Sequence, residues 1–433
     1  DYLVNGIIGG QYFSFLVDTG SSDTWVVQKG FNCTGGKGNP VPQLSCGFGT
    51  SGFDTDESQT FLPFPDVTYV NMFGNGDSVH GPVGFYTFKV GGLSVYQEIG
   101  VPNVATYKGD NISSGILGLA FPNLTNGIIL FRNPAKFLQT TGLSMIRFFF
   151  IAVKENKVKS PVFSVAVDRS PFSPVEQANN TLVRNLGFLS FGGIAPVPVV
   201  NTSVTVPIQG YSADGTPSNA PGAKFLFHTI DIDSCPFPGS TGLVTASNNT
   251  IFDTGTSLNI VPTDVAAAYA AAFNSPAVLT SIPGTDLEGF AVDCNAEAPE
   301  FLVPIGGKTF SIDPRDQIVS LGEDDSRKII CASGTQPSSL LAKNSGSVFL
   351  LGDVFLHNVV ATFNPIAREV TLTQRVGTGG MYLFAVQAPY GRTPVSILYI
   401  LSSSIWVGMI LLQLRDGQFT ISVDIQNVQT CRV

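Results

Sequence analysis

Two short segments each place an aspartate on a turn of small residues directly after an apolar run. The first, FLVDTGSSDTWV, carries Asp18, and the second, IFDTGTSLNIV, carries Asp253. One aspartate beside a glycine usually forms only a turn, because its side chain hydrogen-bonds to its own backbone. Two in matching contexts predict a pair of carboxyl groups. At a separation of about 3 Å such a pair shares one proton, so one group is a base while the other is an acid.

A carboxyl pair of this kind can deprotonate a water molecule as it attacks an amide carbonyl, while the second group protonates the carbonyl oxygen. This is peptide hydrolysis, and it needs no metal ion and no covalent intermediate. We expect the glycines to let backbone amides approach the carboxylates and the hydroxyl residues to orient the outer carboxylate oxygens. The residues expected to support Asp18 and Asp253 are Thr19, Gly20, Ser21, Thr254, Gly255 and Thr256.

An internal repeat surrounds the two aspartates. Gly118 of SGILGLAF lies 100 residues after Asp18, and Gly352 of VFLLGDVF lies 99 residues after Asp253. The chain of 433 residues is also longer than the roughly 250–300 residues of a single core. Both observations predict two related lobes about a pseudo-twofold axis. We expect an N-terminal lobe at 1–190, a C-terminal lobe at 191–375 and an atypical tail at 376–433.

The sequence pattern predicts short strands over most of the chain. Apolar runs rich in β-branched and aromatic residues are bounded by Gly, Pro, Asn or Asp. Examples are YFSFLV, VGFYTFKVGGLSV, FLSFGG, KFLFHTIDI, SVFLLGDVFL and EVTLTQ. Helices are predicted at 262–273, beginning with Pro262 and a Thr or Asp cap, and at 133–142. The fold class is therefore mainly β.

Charge and histidine content exclude several function classes. Lys and Arg total 23 against 32 Asp and Glu, a net charge of −9 at pH 7, so we expect no nucleic acid partner. The low basic content suits acidic surroundings, where few positive charges remain to repel one another. His80, His228 and His357 are scattered, and no zinc spacing, G-x-S-x-G or H-E-x-x-H motif occurs. We expect no metal ion and no cofactor.

The cysteines favour an oxidising compartment. The six are Cys33, Cys46, Cys235, Cys294, Cys331 and Cys431, with no C-x-x-C pair. Short loops favour the disulfides Cys33–Cys46 and Cys294–Cys331, although six cysteines allow 15 full connectivities and the sequence does not choose among them. Cys235 lacks a near neighbour, so we expect it to be buried and free, and the pairing of Cys431 stays open.

Six N-x-[ST] sequons also favour a glycoprotein of the secretory pathway. They begin at Asn32, Asn111, Asn123, Asn179, Asn201 and Asn248. With the cysteines they predict a secreted or secretory-pathway protein. No charged region followed by an apolar region opens the chain, so we expect a signal peptide to have been removed or not included.

The tail contains an apolar segment at 395–412, VSILYILSSSIWVGMILL. It has no charge over 18 residues, which is the lower limit for a helix that spans a membrane, and Arg392 and Arg415 flank it. A packed β extension and a tail that does not fold with the rest are the alternatives. Membrane association through a C-terminal anchor therefore stays open.

The motifs D-T-G-S-S-D-T-W, S-G-I-L-G-L-A, D-T-G-T-S and F-L-L-G-D-V-F, in this order and spacing, carry a family resemblance. Residues 1–375 resemble the pepsin-like aspartic proteases, particularly their secreted fungal members. The resemblance implies two β lobes joined by a shared sheet and a cleft that binds an extended peptide or protein substrate. It implies a monomeric aspartic endopeptidase, a hydrolase active at acidic pH, with Asp18 and Asp253 as its catalytic pair. The chain opens near the family's early strand, so we expect the activating prosegment of a zymogen and part of the shared sheet to lie outside it.

The family also has a β-hairpin flap over the cleft, usually with Tyr-Gly at its tip. In DVTYVNMFGNGDSVHGPVGF the resemblance places the family's Y-G-D-G at Phe73, Gly74, Asn75 and Gly76. A register with Tyr69 at the tip would put Val70 where glycine is expected, so we prefer Phe73. Phenylalanine lacks the hydroxyl that in the family can hydrogen-bond the tryptophan, here Trp25. We therefore predict a working but weakened flap.

Two alternative functions stay open. A glycosidase could also use two carboxyl groups, at separations of about 5 Å or more. Only Trp25 and Trp406 are present, however, and no row of sugar-binding aromatic residues occurs. The second alternative is a catalytically weak or inactive pepsin-fold protein that binds proteins or glycans. Both aspartates are intact, so the altered flap is the main argument for it.

Overall fold

The computed structural model describes most of the chain up to residue 376. The residues left out of this range are 1, 37, 50–51, 59–61, 65–66, 74–75, 108, 126–129, 132–146, 170–182, 185, 213–216, 219, 234–248, 282–287, 324–325 and 341–348. Beyond it, residues 411–415, 418–422 and 428–429 are described. The chain forms two compact units, one of residues 1–376 with 427–433 and the other of residues 377–426.

The described residues are mainly β, as predicted. In the first half of the chain the strands are β1 (Tyr2–Ile8), β2 (Gln11–Asp18), β3 (Trp25–Val26), β4 (Asn32–Cys33), β5 (Leu62–Pro63), β6 (Val67–Met72), β7 (Ser78–Gly81), β8 (Val83–Val90), β9 (Leu93–Gly100), β10 (Val104–Thr106), β11 (Gly115–Gly118), β12 (Leu130–Phe131), β13 (Phe163–Val167), β14 (Val183–Arg184), β15 (Gly187–Phe191) and β16 (Val199–Pro207). They are followed by β17 (Gly210–Tyr211), β18 (Pro217–Ser218), β19 (Thr229–Asp231), β20 (Asn249–Phe252), β21 (Asn259–Val261), β22 (Val278–Ser281), β23 (Glu288–Val292), β24 (Phe301–Ile305), β25 (Lys308–Ile312), β26 (Ile318–Glu323), β27 (Ile329–Ser333), β28 (Thr335–Pro337), β29 (Phe349–Leu351), β30 (Val359–Asn364), β31 (Glu369–Arg375), β32 (Leu411–Arg415), β33 (Gln418–Ser422) and β34 (Val428–Gln429).

Helices are few among the described residues. The α-helices are α1 (Phe148–Lys154), α2 (Thr263–Ala271) and α3 (Asp353–Leu356), and the 3-10 helices are Gln43–Cys46, Pro122–Leu124, Pro314–Gln317 and Ser338–Leu340. Helix α2 confirms the prediction for 262–273. The expected side-chain cap is not formed, because Pro262 itself occupies the position before the first helical residue. Helix α1 lies in an apolar stretch and buries Phe148 and Phe149.

The two halves repeat the same strand arrangement around the two aspartates. The strand order β2-β11-β3-β9 of the first half corresponds to β20-β29-β21-β28 of the second. Strand β2 runs parallel to β11 as β20 does to β29. Strand β3 likewise runs parallel to β9 as β21 does to β28. The repeat seen in the motifs is therefore also a repeat of structure.

A five-stranded sheet draws its strands from both halves of the chain. Its order is β15-β13-β30-β31-β16, and β13 pairs antiparallel with β30. The largest apolar core also extends through both halves and includes Phe15, Phe163, Phe252 and Phe363. Because this core and this sheet are common to both halves, they hold the two aspartate-bearing strands in one body.

Two predicted strands are partly wrong. In SVFLLGDVFL only Phe349–Leu351 is extended, and helix α3 begins at Asp353 after Gly352. Because all four residues of α3 are buried, its apolar composition does not distinguish a helix from a buried strand. In KFLFHTIDI only Thr229–Asp231 is a strand, because Lys224 exchanges backbone hydrogen bonds with Tyr211 instead.

The structure contains both disulfides that the short loops favoured, Cys33–Cys46 and Cys294–Cys331. Cys33 and Cys46 belong to a second cluster of buried apolar residues. This cluster also includes Trp25 and, from the β6–β7 hairpin, Tyr69 and Val79. Cys235 and Cys431 lie outside the described residues.

The described parts of the tail are strands. In the smaller unit β32 and β33 form an antiparallel hairpin. Strand β34 pairs with β1 and β14 in the larger unit. Residues 395–410 of the apolar segment lie outside the described residues, as does the helix expected at 133–142. Among the residues described, no helix has the length and apolarity needed to cross a membrane.

Glu98 is a half-buried carboxyl group on β9, near the buried ion pair of Asp23 and Arg147. Burial raises the pKa of Glu98 to about 7, while the charge of Arg147 opposes the rise and that of Asp23 adds to it. Glu98 therefore holds its proton more tightly in the folded chain than in the unfolded chain, where its pKa is 4.5. Ionising it in place destabilises the fold, so stability falls as the pH rises from about 4.5 to about 7.

We predict that Glu98→Gln flattens this fall. The melting temperature of wild type should drop more between about pH 4.5 and about pH 7 than that of the variant, by an amount that corresponds to about 2 kcal/mol or less. Glu288→Gln, at an exposed position of β23, is the matched control. If the melting temperature falls equally in wild type, Glu98→Gln and Glu288→Gln, the raised pKa assigned to Glu98 is contradicted.

Candidate active site

The structure brings the two predicted aspartates together. Asp18 is the last residue of β2, and Asp253 directly follows β20. Gly20 lies against the carboxyl group of Asp253, and Gly255 lies against that of Asp18. The two carboxyl groups therefore face each other across the two turns, close enough for the charge of Asp253 to act on Asp18. We call Asp18 and Asp253 the carboxyl pair.

Two threonines connect the turns that carry the pair. The Thr19 amide donates to Thr254 Oγ1 and the Thr254 amide donates to Thr19 Oγ1, both at 3.1 Å. Each hydroxyl also donates across to the other half, from Thr19 to the Phe252 carbonyl at 2.8 Å and from Thr254 to the Val17 carbonyl at 2.7 Å. Both threonines are fully buried. These four bonds form a reciprocal lock between the two turns.

Each carboxylate is held by donors from its own turn. Asp18 Oδ1 accepts from the amides of Gly20 at 2.8 Å and Ser21 at 3.0 Å, and its Oδ2 accepts from Ser21 Oγ at 2.5 Å. Asp253 Oδ1 accepts from the Gly255 amide at 2.8 Å. Its Oδ2 accepts from the hydroxyl of Thr256 at 2.7 Å. The support expected from Ser21 and Thr256 is thus present in nearly symmetric form.

The absence of a side chain at Gly20 and Gly255 permits this close approach. A Cβ at Gly20 would lie 2.5 Å from Cγ of Asp253, and one at Gly255 would lie 2.7 Å from Oδ1 of Asp18. The motif glycines behind the turns are equally enclosed. A Cβ at Gly118 would lie 2.4 Å from the Ser22 carbonyl carbon, and one at Gly352 would lie 2.2 Å from the Thr256 carbonyl oxygen.

The environment of Asp18 favours its protonated form. Burial raises its pKa well above the usual range for aspartate, and the nearby charge of Asp253 raises it further. The hydrogen bonds from Ser21 and Gly20 oppose this rise. Two carboxyl groups in contact cannot both ionise without strong repulsion. The geometry therefore favours one shared proton on the pair, which titrates as a unit.

The hairpin predicted as a flap is formed by β6 and β7, which pair antiparallel. Its loop begins at Phe73, whose amide donates to the Asp77 carbonyl, and the Gly76 amide donates to the Phe73 carbonyl, each at 2.9 Å. Gly76 has φ +90°, which favours glycine. Gly74 and Asn75 lie outside the described residues. Tyr69, the alternative tip residue, lies within β6 with its side chain buried.

Trp25 lies beneath this hairpin in a group of aromatic rings. Its ring centroid is 6.3 Å from that of Phe73, 6.0 Å from Phe48 and 5.7 Å from Tyr107. Trp25 is fully buried, and within the described part of the chain its Nε1–H has no hydrogen-bond partner. Phe73, which lacks a hydroxyl, therefore packs near a buried donor that has no acceptor among the described residues.

Sequence reasoning missed two polar residues near the pair. Tyr107 packs on Trp25 and Phe73, and its pKa is raised by burial and by the charges of Asp110, Asp18 and Asp77. Asp353 is buried, and burial raises its pKa to about 7, with a smaller contribution from Asp253. Asp353 directly follows Gly352 of the quoted F-L-L-G-D-V-F motif, which could have identified it. Tyr107 lies outside every quoted motif.

No metal site is evident in the parts of the chain that the structure describes. There, no group of three or more His, Cys, Asp or Glu side chains could hold a metal ion. Four of the cysteines form the two disulfides.

Comparison with known proteins places the chain in a family. Residues 2–375 match the family model described as eukaryotic aspartyl protease. The chain belongs to the eukaryotic aspartyl protease family. A probable aspartic-type endopeptidase of Aspergillus fumigatus is 33% identical over 370 residues, which cover 84% of this chain and 76% of the relative. Rhizopuspepsin-4 of Rhizopus niveus is 26% identical over 362 residues, covering 82% of this chain and 72% of the relative.

A putative aspergillopepsin A-like aspartic endopeptidase of Arthroderma otae is 24% identical over 370 residues, covering 84% of this chain and 73% of the relative. These three relatives are all fungal. Family membership confirms the predicted bilobal, mainly β, pepsin-like fold. It also confirms that this aspartyl protease is an aspartic-type endopeptidase, a hydrolase.

We predict that Thr254→Val lowers the unfolding free energy and the kcat of this aspartyl protease, because it breaks part of the reciprocal lock between the two turns. The variant keeps the shape of the side chain but leaves the Thr19 amide and the Val17 carbonyl without their partner. Leaving buried polar groups unpaired costs about 1–3 kcal/mol of unfolding free energy. Denaturant unfolding measures this loss, and kcat should fall more than KM rises because the carboxyl pair is displaced. Thr309→Val, at an exposed position of β25, is the control; equal stability of the two variants would exclude the lock.

Proposed function

We propose that this aspartyl protease cleaves peptide bonds at acidic pH with a water molecule activated between Asp18 and Asp253. One observation carries the proposal: each turn lies against the carboxyl group of the other, and each carboxyl group has its own set of donors. Such a pair holds one proton, which supplies a base and an acid at the same site. Mildly acidic pH keeps that single proton in place, because a second proton removes the base and loss of the first removes the acid.

The proton transfers balance within the pair. The ionised carboxylate accepts a proton from water as the water oxygen bonds to the carbonyl carbon of the substrate. The protonated carboxyl group gives its proton to the carbonyl oxygen, which yields a tetrahedral diol. When the C–N bond breaks, the amine nitrogen takes a proton from the carboxyl group that deprotonated the water. The remaining hydroxyl proton returns to the other carboxylate, so the pair ends with one proton, as it began.

The surrounding residues keep the pair in position for these steps. Ser21 and Thr256 each donate to the Oδ2 oxygen of their own aspartate, which restrains the rotation of both carboxyl groups. Thr19 and Thr254 fix the distance between the two turns. Preorganised groups of this kind lower the barrier because they need no reorientation during the reaction.

We further propose that an extended peptide binds under the β6–β7 flap. Phe73 and Gly76 form the described part of its loop, and Trp25 lies below Phe73. The two lobes proposed at 1–190 and 191–375 each contribute one aspartate to the site. Because one chain supplies the whole pair, a monomer suffices for activity.

A secretory location is proposed on two grounds. The two disulfides require an oxidising compartment to form and persist. Of the six sequon asparagines, the four among the described residues are exposed, namely Asn32, Asn111, Asn123 and Asn201. Exposure is what glycosylation requires. Synthesis as a zymogen remains a proposal by family resemblance.

An inactive binding protein of the same fold is the weaker candidate. Loss of one aspartate would favour it, but both are present and held by matching donors. The phenylalanine at position 73 is compatible with reduced activity and does not disturb the carboxyl pair.

We predict that Asp253→Asn lowers kcat by about 10²–10⁴-fold, because an amide cannot exchange a proton with the attacking water. Hydrolysis of a reduced, unfolded protein is measured between about pH 3 and about pH 6, with and without a statine-type transition-state analogue. Asp264→Asn, an exposed position of α2, controls for the loss of one negative charge. Unchanged turnover in Asp253→Asn would refute the proposed mechanism.

We predict that Phe73→Tyr raises kcat/KM by about threefold to tenfold. The added hydroxyl is expected to give Trp25 Nε1–H the acceptor that it lacks among the described residues, and one net hydrogen bond contributes about 1 kcal/mol. Steady-state kinetics on a fluorogenic peptide with apolar residues at the cleaved bond tests this. Phe188→Tyr, an exposed position of β15, is the matched control. If Phe73→Tyr leaves kcat and KM unchanged, the prediction of a weakened flap is wrong.

A further inference from the structure

A buried hydrogen-bonded cluster takes no part in the mechanism above. Its centre is His357, the residue directly after α3. His357 Nε2 lies 2.5 Å from the hydroxyl of Tyr2, and His357 Nδ1 lies 2.8 Å from Oδ1 of Asp316. Tyr2, His357 and Asp316 are all buried. Both ring nitrogens of the histidine are therefore engaged by side chains from distant parts of the chain.

The Tyr2 contact determines the proton on one ring nitrogen. The Tyr2 hydroxyl lies 2.8 Å from the backbone carbonyl oxygen of Asp168. A carbonyl only accepts, so the single hydroxyl proton of Tyr2 is donated to it. The Tyr2 oxygen can then only accept from His357. It follows that Nε2 of His357 carries a proton.

The Asp316 contact determines the proton on the other ring nitrogen. Asp316 also accepts from Arg169 Nε at 2.5 Å, Arg169 Nη2 at 2.6 Å and Asn358 Nδ2 at 2.8 Å. Burial alone would raise the pKa of Asp316, but the charges and hydrogen bonds of His357 and Arg169 hold it at about 2. An ionised carboxylate only accepts, so Nδ1 of His357 donates. With a proton on each nitrogen, His357 is a cation.

This cation connects the two halves of the active site. Helix α3, which His357 follows, supports the second D-T-G turn: the Asp353 amide donates to the Thr256 carbonyl at 2.9 Å and the Val354 amide to the Ser257 carbonyl at 3.1 Å. Tyr2 begins β1, which pairs along its length with β2, the strand that ends at Asp18. A continuous path of bonds thus runs from one aspartate to the other through α3, His357, Tyr2 and strands β1 and β2.

We propose that doubly protonated His357 is a positioning residue of the active site, which fastens α3 and the second D-T-G turn to strand β1 and releases them when the pH rises. The proposal rests on the proposed function, because the turns are worth positioning only if Asp18 and Asp253 act together. A neutral His357 could still donate to Asp316. Its bare Nε2 would then face the Tyr2 oxygen, and Tyr2 would have to give up either Asp168 or His357.

The groups that face His357 come from every element packed around it. They are Tyr2 of β1, Asp168 and Arg169 after β13, Asp313 and Asp316 at the 3-10 helix Pro314–Gln317, Arg375 of β31, and Asp353 of α3 itself. Asp168 is paired with Arg375, and Asp313 is paired with Arg315 and Arg169, whereas Asp316 contacts both Arg169 and His357. Asp316 is thus its direct counter-ion.

The test compares wild type with His357→Gln and Tyr2→Phe in the full chain. Melting temperature, kcat and KM are measured at about pH 4.5 and about pH 7.5, which bracket the usual histidine range. His357→Gln should melt about 5 °C below wild type at the acidic pH, and this gap should shrink by at least half at the higher pH. At the acidic pH kcat should fall several-fold with KM little changed, since the turn shifts while the flap does not.

Tyr2→Phe tests the role of the proton on His357 Nε2 while leaving the contact between His357 Nδ1 and Asp316 in place. Without the hydroxyl, His357 no longer needs a proton on Nε2, so the fall in melting temperature between the two pH values should be smaller than in wild type. Tyr12→Phe, where the side chain is 76% exposed on β2, is the control and should match wild type. If His357→Gln does not fold, the comparison of Tyr2→Phe with Tyr12→Phe decides alone.

A gap between His357→Gln and wild type that is equal at both pH values would overturn the proposal, because it would show a contact that does not depend on a proton. A Tyr2→Phe profile identical to that of Tyr12→Phe would overturn it as well. The failure of the proposed function looks different: wild type would then have no activity on the reduced, unfolded protein at any pH, while the melting temperatures would still decide the role of His357.

Discussion

The reciprocal hydrogen bonds between Thr19 and Thr254 are the constraint on which the active site depends. Two carboxyl groups in contact repel each other whenever both ionise, so something must hold their turns together. The two amides and two hydroxyls provide this in a buried setting, where each bond is strong and each missing partner is costly. Gly20 and Gly255 complete the arrangement, because any side chain there would displace the opposite carboxyl group.

Acidic pH favours this fold as well as this chemistry. Glu98 and Asp353 are buried or half-buried carboxyl groups whose pKa values lie near 7, so both are neutral in acid and resist ionising as the pH rises. Asp316 behaves in the opposite way, because its pKa of about 2 keeps it ionised beside Arg169 and His357. A chain with 23 basic residues also gains little positive repulsion when its carboxylates are neutralised.

The sequence predicted the parts of the site that are local in the chain. Asp18 and Asp253 stand in short motifs with their own donors, so their pairing followed from repetition and chemistry, as did the two disulfides from short loops. Helix α2 was predicted from local signals of the same kind, whereas the flap loop beginning at Phe73 was predicted from the family resemblance. The tail beyond 376 and the position of Cys235 stay predictions.

What the sequence could not show depends on residues that meet only in the fold. The cluster of Tyr2, Asp316 and His357 joins three segments without a shared motif, and a lone histidine is usually structural. Tyr107 is likewise a single aromatic residue in a loop, identified only by its contacts with Trp25 and Phe73. The turn from strand to helix at Gly352 was missed because apolar residues buried on all sides carry no periodicity.

The central claim is that Asp18 and Asp253 share one proton, and infrared spectroscopy tests it most directly. A difference spectrum between wild type and the double variant Asp18→Asn/Asp253→Asn, recorded at about pH 5, isolates the two carboxyl groups. The account predicts one protonated carboxyl band and one carboxylate band. Two carboxylate bands, with no protonated carboxyl group, would contradict it.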